Sequence, residues 1–455
     1  MFFMSLPFLD REDEQRRLNR FLRGEDAQLA VLFGRRRCGK STLIQRLCGD
    51  GDVYFLADER ETSLQLQSFA AEVSRVVPDF AAARYPSWDA LFTSLHARVE
   101  RINVVLDEFP YLAASAPELP SVLQRLIDRP GPKRLRFVLC GSSQRMMQGL
   151  VLDRSAPLYG RAREILRLAP LRPGWIVPAL GLGGVEAVEA WSVWGGVPRY
   201  WELAGEYASL NDAIRDLVLH RHGVLHDEPR GLLLDEMRSA TQASSILELV
   251  GAGCHRLSEI AGRLGKPAGA LSRPLANLLE LGTLRKDTPF DEDERSTKRT
   301  LYRIGDPLLS FWFRFVQPAR SLLERDLIDQ VEARLWPAFP AHCAEAWELL
   351  ARESVPLLPI GGLAWGPASR WWGKGAAGPQ EFDVVAESLD GEQVLVGEVK
   401  WAARPEIARW RADLQRRAAG APFVRGRRVV TALWVKEGEK AEDVLTPGRV
   451  MDALR

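Results

Sequence analysis

The stretch LAVLFGRRRCGKSTLIQRLC, residues 29–48, constrains the fold more than any other part of the chain. Five apolar residues read as a buried strand, GRRRCGKST follows at once, and LIQRLC has the apolar spacing of a helix. Strand, glycine-rich loop and helix in that order are the setting in which GxxxxGK[ST] cradles phosphates. Gly34 and Gly39 carry no side chain, so the backbone N–H groups along Arg35, Arg36, Arg37 and Cys38 can wrap an anion at a helix N-terminus whose dipole favours it. On this reading Lys40 reaches the β- and γ-phosphates of ATP, Ser41 holds Mg²⁺, and Thr42 follows them in the nucleotide-binding loop. Cys38, flanked by Arg37 and Lys40, is expected to carry a thiol of lowered pKa that reacts faster than the other cysteines until ATP shields it.

Two further apolar runs belong to the same site. INVVLDEF (Ile102 to Phe109) is a parallel-type strand ending in two carboxylates. Asp107 suits a Mg²⁺ ligand, and Glu108 is placed to orient or deprotonate the attacking water. RFVLCGSS ends in Ser142 and Ser143, which either sense the γ-phosphate or cap the next helix.

Taken with PFLDREDEQRRL, VVLDEFPYL, LCGSSQRMM, APLYGRAREILRLAPL and WGGVPRYW, the chain resembles the archaeal-type ATPase family of the P-loop AAA+ and STAND lineage. The resemblance extends over nearly the whole chain. It implies ATP hydrolysis, an arginine finger at Arg161 with Arg163 second, and a lid motif of Gly196, Pro198 and Arg199 near the nucleotide. Cys38 stands where the family leads one to expect valine.

Composition sets limits on partners. The 61 basic and 60 acidic side chains give a formal net charge of +1, so no global field draws the chain to nucleic acid or to an anionic membrane. Local patches must do so. The five cysteines are scattered without zinc or disulfide spacing, which fits a reducing cytoplasm. MFFMSLPFLD lacks the basic start of a signal peptide, and no apolar run reaches the ~18 residues of a membrane span; neither export nor a membrane is expected.

From about residue 240 the pattern shifts to short helices, ASSILELVGAG, LSEIAGRLG and ALSRPLANLLELG, followed by LRKDTPF and RTLYRI. This is the order of a winged helix-turn-helix, in which the helix holding Ser272 and Arg273 would enter a DNA major groove. Pro274 then requires that helix to begin near Ser272. The wing tip carries Asp291, Glu292, Asp293 and Glu294, which phosphates repel, so an adaptor packed on its neighbours is the other reading.

The run EFDVVAESLDGEQVLVGEVKW, residues 381–401, reads as a hairpin with Asp390 and Gly391 in a two-residue type I′ turn. Facing residue numbers then sum to 781. Asp383 faces Glu398, Glu381 faces Lys400, and alternation puts all four on one sheet face. Opposed carboxylates with Cβ atoms ~4.5–5.5 Å apart repel unless a cation or proton intervenes. A Mg²⁺ ion can bridge them, with Lys400 orienting water or stabilising a phosphorane; otherwise Lys400 is a plain ion-pair partner. Asp, hairpin and Glu-x-Lys resemble the PD-(D/E)xK nuclease fold, and that resemblance implies a further upstream glutamate, Glu348 first and Glu345 second.

The expected architecture is α/β. A P-loop AAA+-type parallel sheet fills residues 1–175 and a helical lid 176–235. A winged helix-turn-helix at 236–306 and a helical linker at 307–339 lead to a restriction-endonuclease-like α/β domain at 340–455. The function expected is an ATP-hydrolysing switch coupled to a DNA-binding, metal-dependent effector domain, with ATP, DNA and further copies of the chain as partners. The alternative is a regulatory or scaffold protein whose C-terminal fold binds nucleic acid or protein without cutting.

Overall fold

The computed structural model describes residues 6–24, 28–132, 134–237, 239–293, 297–375, 378–439 and 441–455. Glu294 of the acidic run lies outside them. Two compact units divide the chain, Phe8–Pro170 and Leu171–Arg455.

In the first unit, β1 (Leu29–Phe33), β2 (Val53–Leu56), β3 (Ile102–Asp107), β4 (Leu135–Gly141) and β5 (Glu164–Arg167) form one parallel sheet in the order β2-β3-β4-β1-β5. β1 and β4 are buried along their whole length, as the central strands of a sheet covered on both faces must be. One face packs an aromatic cluster in which Phe69 meets Phe55, Trp88 and Phe92 edge-on or tilted at 5.3–5.4 Å. The other buries Leu18, Phe21, Leu43 and Ile44. Gly34 follows β1 with φ +150°, and a Cβ there would lie 2.3 Å from the Leu168 carbonyl oxygen. Any side chain would push β5 away from the loop.

The second unit begins with helices that include Gly184–Trp194 and Pro198–Ala204, where Pro198 takes the first-turn position in which its missing N–H costs nothing. Three helices follow, Ala240–Gly251, Leu257–Leu264 and Ala268–Glu280, and then an antiparallel ladder of β6 (Leu284–Asp287) and β7 (Leu301–Ile304). The third helix starts four residues before the Ser272 start that the sequence suggested, so Pro274 sits inside it. Leu271, Leu275 and Leu278 hold it in place from the buried face while Ser272 and Arg273 stay exposed.

The connection between β6 and β7 is docked. The Phe290 N–H donates to the Arg370 carbonyl at 2.7 Å, its ring meets Phe423 at 5.9 Å, and Asp291 pairs with Arg425 at 2.8 Å. Asp291 and Glu292, two of the acids that would repel phosphates, serve as intramolecular partners of Arg425 and Arg299.

A 27-residue helix, Ile328–Ser354, leads into the second sheet and runs across the expected boundary at 339/340. That sheet has the order β12-β11-β10-β9-β8, with β8 (Ser369–Gly375), β9 (Gly378–Glu387), β10 (Gln393–Lys400), β11 (Arg428–Val435) and β12 (Val444–Leu445). The first three are antiparallel, whereas β10, β11 and β12 run parallel. Trp371 on β8 is buried against Phe382 and Phe423. Among the described residues no single helix is long and apolar enough to cross a membrane.

Val394 pairs with Glu387 and Val396 with Val385, so the register sum of 781 stands. The turn differs. The Ser388 N–H donates to the Gln393 carbonyl at 3.0 Å and the Gly391 N–H to the Ser388 carbonyl at 2.9 Å. Residues 389–392 thus form a four-residue loop, with positive φ at Gly391 and not at Asp390. A type I′ turn needs positive φ at both. Ser388 and Asp390 side chains instead satisfy the Gln393 and Glu392 N–H groups.

Candidate nucleotide site and acidic cluster

At the end of β1 the loop is shaped by Gly39, which adopts φ +87° just before the helix Lys40–Leu47 and has open space where a Cβ would stand. Lys40 is buried, and its Nζ donates to the carbonyls of Gly34 at 2.8 Å and Arg35 at 3.0 Å. A buried ammonium held only by neutral carbonyls retains a full charge for an anion to meet, which suits a phosphate. Arg35, Arg36 and Arg37 are half-buried around it, Ser41 is half-buried and Thr42 exposed. Cys38 is 1% exposed. The expectation of a reactive thiol is therefore corrected: a buried sulfur is closed to reagents whatever charges surround it.

Asp107 ends β3 fully buried. Its Oδ2 accepts from the Tyr54 hydroxyl at 2.6 Å and its Oδ1 from the Glu108 N–H at 3.0 Å. Burial first, and then Asp107, raise the Tyr54 phenol well above its ordinary value, while Gln45 and Ser41 hydrogen-bond to it and pull the other way. Ser41 and Asp107 thus converge on one hydroxyl, and the donor set of alcohol and carboxylate suits a hard cation such as Mg²⁺. Tyr54 was missed from sequence, because it lies on the short edge strand β2.

Glu108 stands in the left-handed region at φ +54° before the helix Phe109–Ser115. That strained backbone turns its carboxylate toward β4, where the Ser142 hydroxyl and the Ser142 N–H, the latter at 3.2 Å, both donate to it. Ser143 caps the following helix by accepting from the Met146 N–H. Ser143 thus takes the capping role, and Ser142 is the partner of Glu108. Arg161 is given another task than the expected finger: Nε and Nη2 clasp Asp128 at 2.9 and 2.7 Å, and Nη1 donates to the carbonyls of Pro157 and Tyr159. Arg163 is exposed. In the second unit, Arg199 pairs with Glu202 at 3.0 Å, and Gly196 is obligatory because a Cβ would meet the Leu171 carbonyl at 2.1 Å.

In the C-terminal sheet, β9 carries an irregularity. Ser369 to Trp371 spans two residues on β8, while their partners Val385 and Phe382 are three apart. This bulge resets the side-chain alternation at Asp383. Phe382 and Val385 therefore share one apolar cluster with Val396, and Glu381 turns to Arg370 on the other side. The expected Glu381–Lys400 pair is not made. Lys400 Nζ instead holds Glu398 Oε1 at 2.6 Å, and Arg417 holds Glu398 Oε2 at 2.5 Å from the helix Ile407–Ala419.

Asp383 and Glu398 do come together. The Asp383 Oδ2 accepts the Val399 N–H at 2.9 Å, taking over the ladder where the strands part after Gly397. Burial, then Glu348, then Glu398 push the Asp383 carboxyl up to about 7. Glu348 reaches in from the long helix and is met by Arg370 at 3.6 Å and Arg352 at 3.8 Å. Glu345 faces elsewhere and pairs with Arg314 at 2.7 Å. Among the described residues no three carboxylate, histidine or cysteine groups converge closely enough to hold a metal ion. Both oxygens of Glu398 already have cationic partners, so in this arrangement the cluster does not fit a Mg²⁺ ion. Beside it an open groove of about 590 Å³ is lined by Lys400, Arg409, Arg416 and Arg417 against Glu398 and Asp413.

Comparison with known proteins places these features. Residues 8–203 match a family described as an ATPase domain predominantly from Archaea, and residues 312–411 one described as archaeal and bacterial proteins of unknown function. The uncharacterized protein MJECL04 of Methanocaldococcus jannaschii is 29% identical over 403 residues, 87% of each chain. Among solved structures, the Walker-type ATPase paby2304 of Pyrococcus abyssi matches with a TM-score of 0.52 and 22% identity, over 68% of this chain and 96% of its own. The ORC2 protein of Aeropyrum pernix gives 0.48 and 17%, over 72% and 96%.

Proposed function

We propose that this chain, whose residues 8–203 are an ATPase domain of the predominantly archaeal family, is an ATP-driven switch whose C-terminal sheet domain acts on the backbone of a nucleic acid. For the ATPase half, Lys40 and the loop N–H groups bind the phosphates, Ser41 and Asp107 hold Mg²⁺, and Glu108 orients the attacking water once Ser142 releases it to bond the γ-phosphate. The cation supplies charge neutralisation at the phosphates.

For the effector half, the observation that carries the reading is that Glu398 and Lys400 line an arginine-rich groove while Glu398, together with Glu348, acts on the buried Asp383 carboxyl. Phosphodiesters are recognised by arginine and lysine, and Arg417 and Lys400 are placed to exchange Glu398 for a backbone phosphate. A non-cleaving binder is favoured by one specific observation, the full occupation of Glu398 by those same two cations. The test incubates the full chain with single- and double-stranded DNA and RNA, with Mg²⁺ or Mn²⁺, and with ATP, ADP or neither. Cutting that is lost in Asp383→Ala establishes the nuclease reading. Salt-sensitive binding without cutting, lost in a paired Arg416→Ala and Arg417→Ala variant, establishes the binder. Neither binding nor cutting overturns the proposal.

A further inference from the structure

A partly enclosed pocket lies in the second unit, and none of Asp383, Glu398 or Glu348 lines it. Its volume is about 270 Å³, and its walls come from the ends of the Gly184–Trp194 and Ala240–Gly251 helices, the ladder of β6 and β7, the segment 307–314 and the middle of the long Ile328–Ser354 helix. Its polar lining includes His255, Arg285, Arg303, Ser310, Arg314 and His342, with one carboxylate, Glu345, among them. The charges do not balance. Asp287 is shared by Arg285 at 2.6 Å and Arg303 at 3.3 Å, and Glu345 serves Arg314. Three guanidiniums thus face two carboxylates.

Hydrogen bonding is also incomplete. His342 is 2% exposed, and its Nε2 donates to the Ser192 carbonyl at 2.8 Å. A neutral imidazole that donates at one nitrogen presents a bare lone pair at the other, and the His342 Nδ1 is buried without a partner. Arg285 Nε and Arg303 Nε are likewise buried without an acceptor, since the Arg303–Asp287 approach is a charge contact and not a hydrogen bond. Burial holds the His342 imidazole neutral, with its pKa down to about 4. Burial and then Arg303 lower His255, while burial and then Arg370 lower Arg303 itself, with Asp287 and Glu348 pulling Arg303 the other way.

We infer that this cavity is a second ligand site, for a phosphate group carrying a proton, either free or borne by a small metabolite. Guanidinium donors meet the anionic oxygens, and the P–OH donates to His342 Nδ1. The volume is at the small end for ligand pockets, which excludes a whole nucleotide. Because the walls belong to several elements, a ligand here ties the β6–β7 ladder to the helix that also carries Glu348. The inference does not depend on the nucleic-acid reading.

The test uses the full chain bearing Lys40→Ala, so that the P-loop does not report, and follows the melting temperature in inorganic phosphate, sulfate or chloride at equal ionic strength. Phosphate is expected to raise it saturably and sulfate, which has no proton to donate near neutral pH, to raise it much less. Arg303→Gln removes the response. Should that variant fail to fold, Ser310→Asp decides: it puts a carboxylate among the arginines, so it raises the melting temperature without phosphate and abolishes the phosphate shift. A tighter midpoint for glycerol phosphate than for inorganic phosphate points to a metabolite-borne group, and the reverse to the free ion. No saturable shift, or a shift that survives both Arg303→Gln and Ser310→Asp, overturns the assignment.

Discussion

Lys40 and Glu108 make separable contributions because the ammonium of one sits inside the loop against the Gly34 and Arg35 carbonyls and the carboxylate of the other is held aside by Ser142. Lys40→Ala is expected to abolish nucleotide binding. Glu108→Gln should leave binding within a few-fold while cutting hydrolysis at least ~100-fold, the usual scale for losing a positioned base; calorimetric affinity and phosphate release check the split. Asp383 gives a pH signature. Its folded pKa of about 7 lies above the ordinary 3.8, so the folded chain keeps a proton that the unfolded chain has released. Stability from this group is full below pH ~4 and is lost as pH rises through about 7. Asp383→Asn should flatten that decline, with a difference of a few kcal/mol at most, read from denaturant titrations at pH 5 and pH 8 in chelator.

Elements show which parts of the chain carried their fate in local sequence. The P-loop strand and helix, β3 with its terminal acid pair, and the 781 register were legible because each rests on apolar patterning that any burial of these segments must respect. Tyr54 was not, because VYFL is four residues on a half-buried edge. The bulge at Asp383 was not, because nothing in EFDVV distinguishes two residues that share one partner from two that alternate. Arg417, nineteen residues beyond Glu398, reads only as one of several basic residues on an amphipathic helix. Arg161, the finger that the resemblance implies, has its donors engaged with Asp128, Pro157 and Tyr159 in this structure, a pairing that no local sequence pattern announces. Arg161→Ala should therefore keep most ATPase turnover, where loss of a finger costs ~10³-fold, and should lower stability by about 1 kcal/mol or less for a largely solvated pair. Steady-state turnover with a denaturation curve decides.

At the scale of the whole molecule, the segments behind the expected boundary at residue 340 do not stand alone. The long helix crosses that point, and Phe290 from the β6–β7 connection fills the core around Trp371, Phe382 and Phe423. A fragment of residues 340–455 is expected to lose that aromatic plug together with the first half of its helix. It should melt well below the full chain or fail to give a cooperative transition, as followed by near-ultraviolet circular dichroism. A fragment beginning near residue 240 keeps both and should fold.

The long helix has one more consequence. At 27 residues it extends about 40 Å, and its two prolines, Pro337 and Pro340, interrupt the hydrogen-bond ladder in its first half. Beyond them, His342, Glu348 and Arg352 ride on one uninterrupted rod. A bend at the prolines would therefore carry the pocket's histidine and the cluster's glutamate together, as points on one lever arm.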